Sequence, residues 1–447
     1  MPSNGEFPGP ILGGQVPIPR NAGGTRPVPE HRLKPAKRRR TPGQRILRIL
    51  IIVLSLIIVL AAAGYGYFRY EWAQINTAVC PSCVAVANGA PYNVLVLGSD
   101  TRTGETSAQA QQFGNQTTAG GQRSDTIKIV HVDPQAGTAS ILSIPRDTFV
   151  TLSGVPASSG VSSKNKINAA FASGPNDPNP SGTGANGLVT TIQNTFGIPI
   201  SHWIVVNFFG LMDAVNGLGG VKMNVPVPIR DYGDCNANGV YSNCTGLNIQ
   251  TTGCQTLGGA QALALSRSRH FEYYQNGKWN SDYSSDLGRI QRQNLMIEAV
   301  VNKAKSTYNP VTAASFIASL THDVTLDNQM SSGMLLSLAE RYHAFSGSSL
   351  KNYTLPTIAA TYAPYGGEAV QVVQQPQLQE MITQFLGGPA GTVTTPPLSS
   401  HGNPIPVPTV ATPATAASTS STAPASSIPP PAASAPSAIP SYDPTPC

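Results

Sequence analysis

The longest apolar pattern in the chain is Ile49 to Phe68, 20 residues without a charge (ILIIVLSLIIVLAAAGYGYF). At about 1.5 Å of rise per residue, a helix of that length spans a hydrocarbon core of about 30 Å. Lys34, Lys37, Arg38, Arg39, Arg40, Arg45 and Arg48 precede the run, and Arg69 and Glu71 follow it. The positive-inside rule then puts the N-terminus in the cytoplasm and residues 70–447 outside. Tyr65, Tyr67, Phe68, Tyr70 and Trp72 supply an aromatic belt on the outer side. Ala61-Ala62-Ala63 offers the small-residue site of a cleaved leader, but a basic arm of 48 residues is long for one.

Shorter patterns follow. Tyr92 to Gly98 is an apolar run closed by glycine and predicts a buried strand. Asp125 to Val132 alternates as a strand does, and Ser140 to Ile144 is another, ended by Pro145. Helical spacing covers Gly187 to Phe196, Phe209 to Val215, residues 257–265, Asp286 to Lys305, 311–320 and 331–343. Trp203 to Phe208 and Val221 to Val225 read as strands, the second entered through Gly219-Gly220. Strands and helices intermix without strict alternation, which predicts one α/β domain with a mixed central sheet covered by helices.

Composition sets the boundaries. Of 39 prolines, 9 fall in residues 1–43 and 15 in residues 389–447, so the ends are low in complexity and poor in core-forming residues. The expected division is a basic cytoplasmic arm (1–48), a membrane helix (49–68), a linker (69–91), an external domain (92–388) and a Pro/Ser/Thr/Ala-rich disordered tail (389–447). Residues 1–50 hold 10 Lys+Arg against 2 Asp+Glu, and residues 51–447 hold 18 against 20. The basic character belongs to the arm, so the domain lacks the basic face of a nucleic-acid binder. Cys80 and Cys83 form a CPSC sequence with no second such pair nearby, which favours a local disulfide or idle thiols over a metal site. One loop-closing bridge among Cys235, Cys244 and Cys254 is expected, with the pair undecided.

Standard motifs contribute little. Gly182, Gly184 and Gly187 match GxGxxG, but they follow an Asn/Asp/Pro/Ser loop rather than a strand, which reads as a loop and helix start. There is no G-x-S-x-G and no H-E-x-x-H. Charge instead gathers at the ends of apolar segments: Gly98-Ser-Asp100-Thr-Arg102, Arg123-Ser-Asp125-Thr, Pro145-Arg146-Asp147, Ser266-Arg267-Ser-Arg269-His270 and Asp286-Leu-Gly-Arg289-Ile-Gln-Arg292-Gln293. Arg267 and Arg269, in an extended segment, point to one side. Arg289 and Gln293 share a helix face. Any one arginine taken alone reads as a solvated charge. Several together predict a polyanion site, because the planar fork matches phosphate oxygens bidentately, and pyrophosphate is the natural candidate. Asp100 and Asp125 would then offer hard oxygen ligands to Mg²⁺, or to Mn²⁺.

The ordered set GSDTR, RSDT, IPRD, KINAAF, GLGGV, LGGAQALALSRSRH and DLGRIQRQ, from about Tyr92 to Lys305, resembles the LytR-CpsA-Psr family. Those proteins are cell-wall glycopolymer transferases of Gram-positive bacteria. The resemblance implies an α/β/α sandwich with an apolar pocket for a polyprenyl chain. It implies transfer of a glycan phosphate from an undecaprenyl-pyrophosphate-linked donor to a hydroxyl of peptidoglycan, with pyrophosphatase-like leakage. Asp100 and Asp125 resemble the magnesium carboxylates. Arg123, Arg146, Arg267, Arg269, Arg289 and Gln293 resemble the pyrophosphate-binding set, and Asp286 a carboxylate that orients the arginines. Arg102 and Asp147 stand beside these as supports. Asp125, Arg146, Arg267 and Arg269 are the expected catalytic group. The expected partners are the lipid-linked donor, peptidoglycan and the bilayer, without nucleic acid. The competing readings are a membrane-anchored sensor and a glycan-binding wall anchor, and the residues alone do not name the glycan.

Overall fold

Apart from scattered positions, the computed structural model describes residues 42–99, 123–207, 209–232, 245–307, 312–334, 350–362, 367–388 and 439–447. The chain forms two compact units, Met1–Ala62 and Ala63–Cys447. Helix α1 runs Pro42–Gln74. Leu50–Gln74 within it is long and apolar enough to cross a membrane, and none of it is buried. The helix therefore continues past Phe68, where loss of apolar character alone would have ended it.

The second unit begins with β1 (Asn76–Ala78), β2 (Tyr92–Ser99), β3 (Ser124–Asp133), β4 (Thr138–Ile144), β5 (Phe149–Thr151) and β6 (Lys164–Lys166). Then come α2 (Pro180–Phe196), β7 (His202–Val206), α3 (Gly210–Gly217), β8 (Val221–Val225), β9 (Ile229–Asp231), β10 (Asn248–Ile249) and β11 (Gly253–Leu257). Helix α4 (Gly259–Arg267), β12 (Phe271–Gln275), β13 (Lys278–Ser281), α5 (Ser285–Lys305) and β14 (Val324–Asp327) follow. The described chain closes with β15 (Lys351–Thr354), β16 (Thr357–Tyr362), β17 (Glu368–Val373), α6 (Gln377–Phe385) and β18 (Thr445–Pro446).

The central sheet has the order β1-β14-β7-β2-β3-β4-β15. It is mixed: β2 pairs parallel with β7 and antiparallel with β3, which is antiparallel to β4. Side chains alternate between the faces. Leu95, Leu97, Ile127, Ile129, Leu142 and Ile144 enter one core with Leu188 and Ile192 of α2 and Ile382 and Phe385 of α6. Tyr92, Val94 and Val132 face the other way with Val324 and Leu326. Both faces are buried, which is why these strands read as near-continuous apolar runs. A second core under β8–β12 holds Val221, Met223, Leu257, Phe271 and Leu295.

Two local features explain α2. Asn179 caps it, its side chain accepting from the Gly182 N–H at 3.1 Å, with Pro180 as the first helical residue. The helix therefore starts seven residues before the apolar periodicity does. The GxGxxG match is a helix start, as expected, and its glycines serve packing. A Cβ on Gly184 would lie 2.3 Å from the Phe171 carbonyl oxygen, and one on Gly187 2.3 Å from that of Ala170.

Two other expectations need correction. Residues 439–447 do not belong to a structureless tail: β18 pairs with β8, and Cys447 is disulfide-bonded to Cys254. Average composition over 389–447 conceals the Tyr442, Asp443 and Cys447 that anchor this segment. Cys254 is thereby committed outside its own loop, while Cys235, Cys244, residues 389–438 and much of the expected helices 311–320 and 331–343 lie outside the described residues. Arg267 is the last residue of α4, so Arg267 and Arg269 are not two positions of one extended strand. The local Cys80–Cys83 disulfide is present.

Candidate active site

Antiparallel pairing builds the site. Ile127 pairs with Ile144 and Gly98 with Thr126, so the start of β3, the end of β2 and the end of β4 share one edge of the sheet. Asp125 is the second residue of β3, and Arg146 lies just past β4 behind Pro145. The Arg146 Nη1 donates to Asp125 Oδ1. Arg146 Nε stands 3.5 Å from Asp147 Oδ2, and Asp147 also meets Lys166 Nζ at 3.4 Å. Lys166 reaches Glu368 at 3.3 Å as well.

Helix α5 delivers the second arginine. Asp286 and Arg289 lie three apart on it and pair at 2.6 Å. The same Arg289 Nη2 donates to the Asp125 carbonyl oxygen at 2.9 Å, and its Nη1 stands 3.8 Å from Asp125 Oδ2. One turn on, Gln293 Nε2 donates to Thr126 Oγ1 at 3.0 Å and to the Ser266 carbonyl at 3.1 Å. That tie brings the end of α4 to the same place.

Ser268 is the C-cap of α4, and Arg269 follows in a segment fixed by its backbone. The N–H groups of Arg269 and His270 donate to Asp231 Oδ2 at 3.1 and 3.3 Å. Arg267 is half-buried at the helix end.

Charge at this site is unbalanced. Burial alone would raise the Asp125 carboxyl, but Arg146 and Arg289 outweigh it and hold Asp125 below the usual carboxylate range. Burial likewise opposes the charge on Arg146, and Asp125 overrides that. On Arg269 the nearby Asp286 and Asp125 do not override burial. It is held below the usual arginine range, first by burial and then by repulsion from Arg146 and Arg289. Among the described residues Arg269 forms no ion pair. Its Nε and that of Arg289 are buried N–H groups with no acceptor there. Three guanidiniums therefore converge on a place that an oxygen-rich anion would neutralise.

The structure brings together Asp125, Arg146, Asp147, Arg269, Asp286, Arg289 and Gln293, with Arg267 on the same connection. Arg123 lies exposed just before β3 and enters no ion pair among the described residues. Asp100 and Arg102 lie outside the described residues. Three cations escaped the sequence reading. Lys166 stands in the KINAAF motif quoted above. Lys128 is buried on β3, donating to Ser143 Oγ at 2.9 Å and Asn294 Oδ1 at 2.6 Å, and burial, then Arg289, push it down to about 7. A lysine in an otherwise apolar alternation is the signal that could have found it. Arg292 is 1% exposed, three residues after Arg289, and that spacing was its signal.

Among the described residues no group of three or more His, Cys, Asp or Glu is placed to hold a metal ion. Asp125 still fits one. Its carboxylate is kept ionised, and Oδ2 is beyond hydrogen-bond reach of Arg289.

The family model described as the LytR_cpsA_psr family matches residues 71–386. The chain is 27% identical over 309 residues to the polyisoprenyl-teichoic acid–peptidoglycan teichoic acid transferase TagV of Bacillus subtilis, covering 69% of each chain. It is 31% identical over 237 residues to the probable cell wall biosynthesis protein LcpB of Corynebacterium glutamicum, covering 53% of this chain and about half (48%) of that one. Among solved structures it resembles protein gbs0355 of Streptococcus agalactiae, with TM-score 0.50, 21% identity, and 69% and 91% coverage. That likeness concerns the fold.

Proposed function

This chain belongs to the LytR-CpsA-Psr family, and from that premise we propose that it transfers a phosphate-linked glycopolymer from a polyprenyl-pyrophosphate-linked donor to a hydroxyl of peptidoglycan. The observation that carries this reading is the convergence of Arg146, Arg269 and Arg289 around Asp125, with buried N–H groups lacking an acceptor among the described residues. The activity for which the teichoic acid transferase relative is named supports the same reaction class.

The chemistry asks little beyond positioning and charge neutralisation. The arginines hold the pyrophosphate. The acceptor oxygen bonds to the glycan-bearing phosphorus, the bridging P–O bond breaks, and polyprenyl monophosphate leaves. The acceptor proton passes to solvent. Water in place of the acceptor gives donor hydrolysis, a pyrophosphatase side reaction. Asp125, with Asp100, would hold Mg²⁺ or Mn²⁺, which would supply further neutralisation of phosphate charge when bound. Asp286 and Asp147 keep Arg289 and Arg146 in place. The α1 helix is the membrane anchor, with the domain on the outer, wall-facing side.

The test uses the full chain in liposomes with a polyprenyl-pyrophosphate-linked glycan, peptidoglycan and Mg²⁺. Glycan should become covalently attached to peptidoglycan. Asp125→Asn should lower this at least about tenfold and flatten its Mg²⁺ dependence. Absence of both transfer and donor hydrolysis by the wild type would overturn the assignment.

A further inference from the structure

Residues 439–447 lie outside the range that the family model matches, yet they reach the support of the arginine site. Three contacts seat them. Thr445 and Pro446 pair with Asn224 and Met223 of β8. Cys447 is bonded to Cys254 of β11, 193 positions earlier. The Tyr442 ring stacks on Tyr273 at 3.8 Å.

Between these anchors Asp443 is buried, 3% exposed, and its Oδ1 accepts from Arg292 Nη1 at 3.3 Å. Arg292 is more deeply buried still and lies over the Phe271 ring. Its Nη1 also donates to Asp282 Oδ2 at 2.8 Å. Its Nη2 donates to the Ser268 carbonyl at 3.1 Å. Ser268 stands between Arg267 and Arg269. The neighbour of Arg292 on α5, Gln293, donates to the Ser266 carbonyl. Adjacent residues of one helix thus grip both sides of Arg267 through backbone oxygens.

That grip has work to do. Arg269 lies near Arg146 and Arg289 without an ion pair of its own among the described residues, so the connection that carries it fixes where it stands. Arg292 holds the connection only while its own guanidinium is fixed, and two carboxylates fix it. Removing one partner of a buried pair weakens such a hold strongly.

We propose that residues 439–447 are a strap, and that Asp443 is a positioning residue which, through Arg292 and the Ser268 carbonyl, sets Arg267 and Arg269 for the pyrophosphate. The catalytic part of this rests on the transferase reading above; the mechanical part does not. The Cys254–Cys447 bond pins the strap.

The test has two arms on the full chain. The first is hydrogen–deuterium exchange. In Asp443→Asn and in Cys447→Ser, amides of residues 266–270 should exchange at least about tenfold faster, with β2–β4 unchanged. Unchanged exchange at 266–270, or an equal rise throughout the domain, would overturn the strap. The second arm is glycan transfer. Asp443→Asn should lower kcat about tenfold at a nearly constant donor KM. Arg292→Lys keeps a charge for Asp282 and Asp443 but lacks the second arm for Ser268, and should reproduce the loss. Wild-type turnover in both variants would remove the positioning role. A wild-type chain without any transfer or donor hydrolysis, but with the exchange coupling intact, would sink the transferase reading and leave the strap standing.

Discussion

At the scale of single residues Arg269 is decisive, because it lies among like charges and forms no ion pair among the described residues. It is crowded by Arg146 and Arg289, and its Nε is buried without an acceptor among the described residues. Arg269→Lys keeps the charge and loses the fork. It should cost roughly 2–4 kcal/mol of transition-state stabilisation, about 10²–10³ in kcat, on the scale of removing a preorganised donor. Thermal unfolding should stay unchanged, since the charge beside Arg146 and Arg289 is kept. A solvated arginine would show near-normal turnover as lysine, and that result would remove Arg269 from the clamp. Asp125 and Arg146 were legible because each sits at the end of an apolar segment, where a charge is conspicuous, and Asp286, Arg289 and Gln293 because they share a helix face at spacings of three and four. Arg292 was not, because its partners Asp282, Asp443 and the Ser268 carbonyl come from three separate parts of the chain.

At the scale of elements, the central strands were legible and the small ones were not. β2, β3 and β4 are 7 to 10 residues of apolar pattern. β9 and β10 have 3 and 2 residues, too short for periodicity to register. Helix ends were also misjudged, and α4 shows the consequence: its extension to Arg267 replaced an extended Arg267–Arg269 pair by a helix end and its cap. Helix α2 offers a test of the packing argument. Alanine at Gly184 gains about 1 kcal/mol of intrinsic helix propensity. Its Cβ would lie 2.3 Å from the Phe171 carbonyl oxygen, a backbone atom that cannot swing aside. Overpacking of this kind costs about 1–3 kcal/mol, so the clash should win. Chemical denaturation of Gly184→Ala should show a lower midpoint with an unchanged slope. An equal or higher midpoint would mean that the residue 167–171 turn yields easily.

For the whole molecule, the charge on either side of the long apolar helix predicts where the domain lies. Ten basic against two acidic residues in positions 1–50 predict an outside domain. A reporter active only outside the cell should work when fused after residue 447, and a fusion at residue 20 should be silent. The reverse pattern would separate the site from any wall acceptor. The long apolar helix, the charge asymmetry, the α/β class and most of the charged residues that meet around Asp125 followed from the sequence by itself. Each depends on local pattern: a long apolar run, a period of two or 3.6, a charge at a strand end. Only the tertiary structure decided that Asp125 and Arg146 meet, that Arg289 arrives from α5, and that Asp443 closes on Arg292. Those contacts join residues 21, 164 and 151 positions apart. No local periodicity carries such pairings, because they arise from strand register and from the closure of long loops around a shared core.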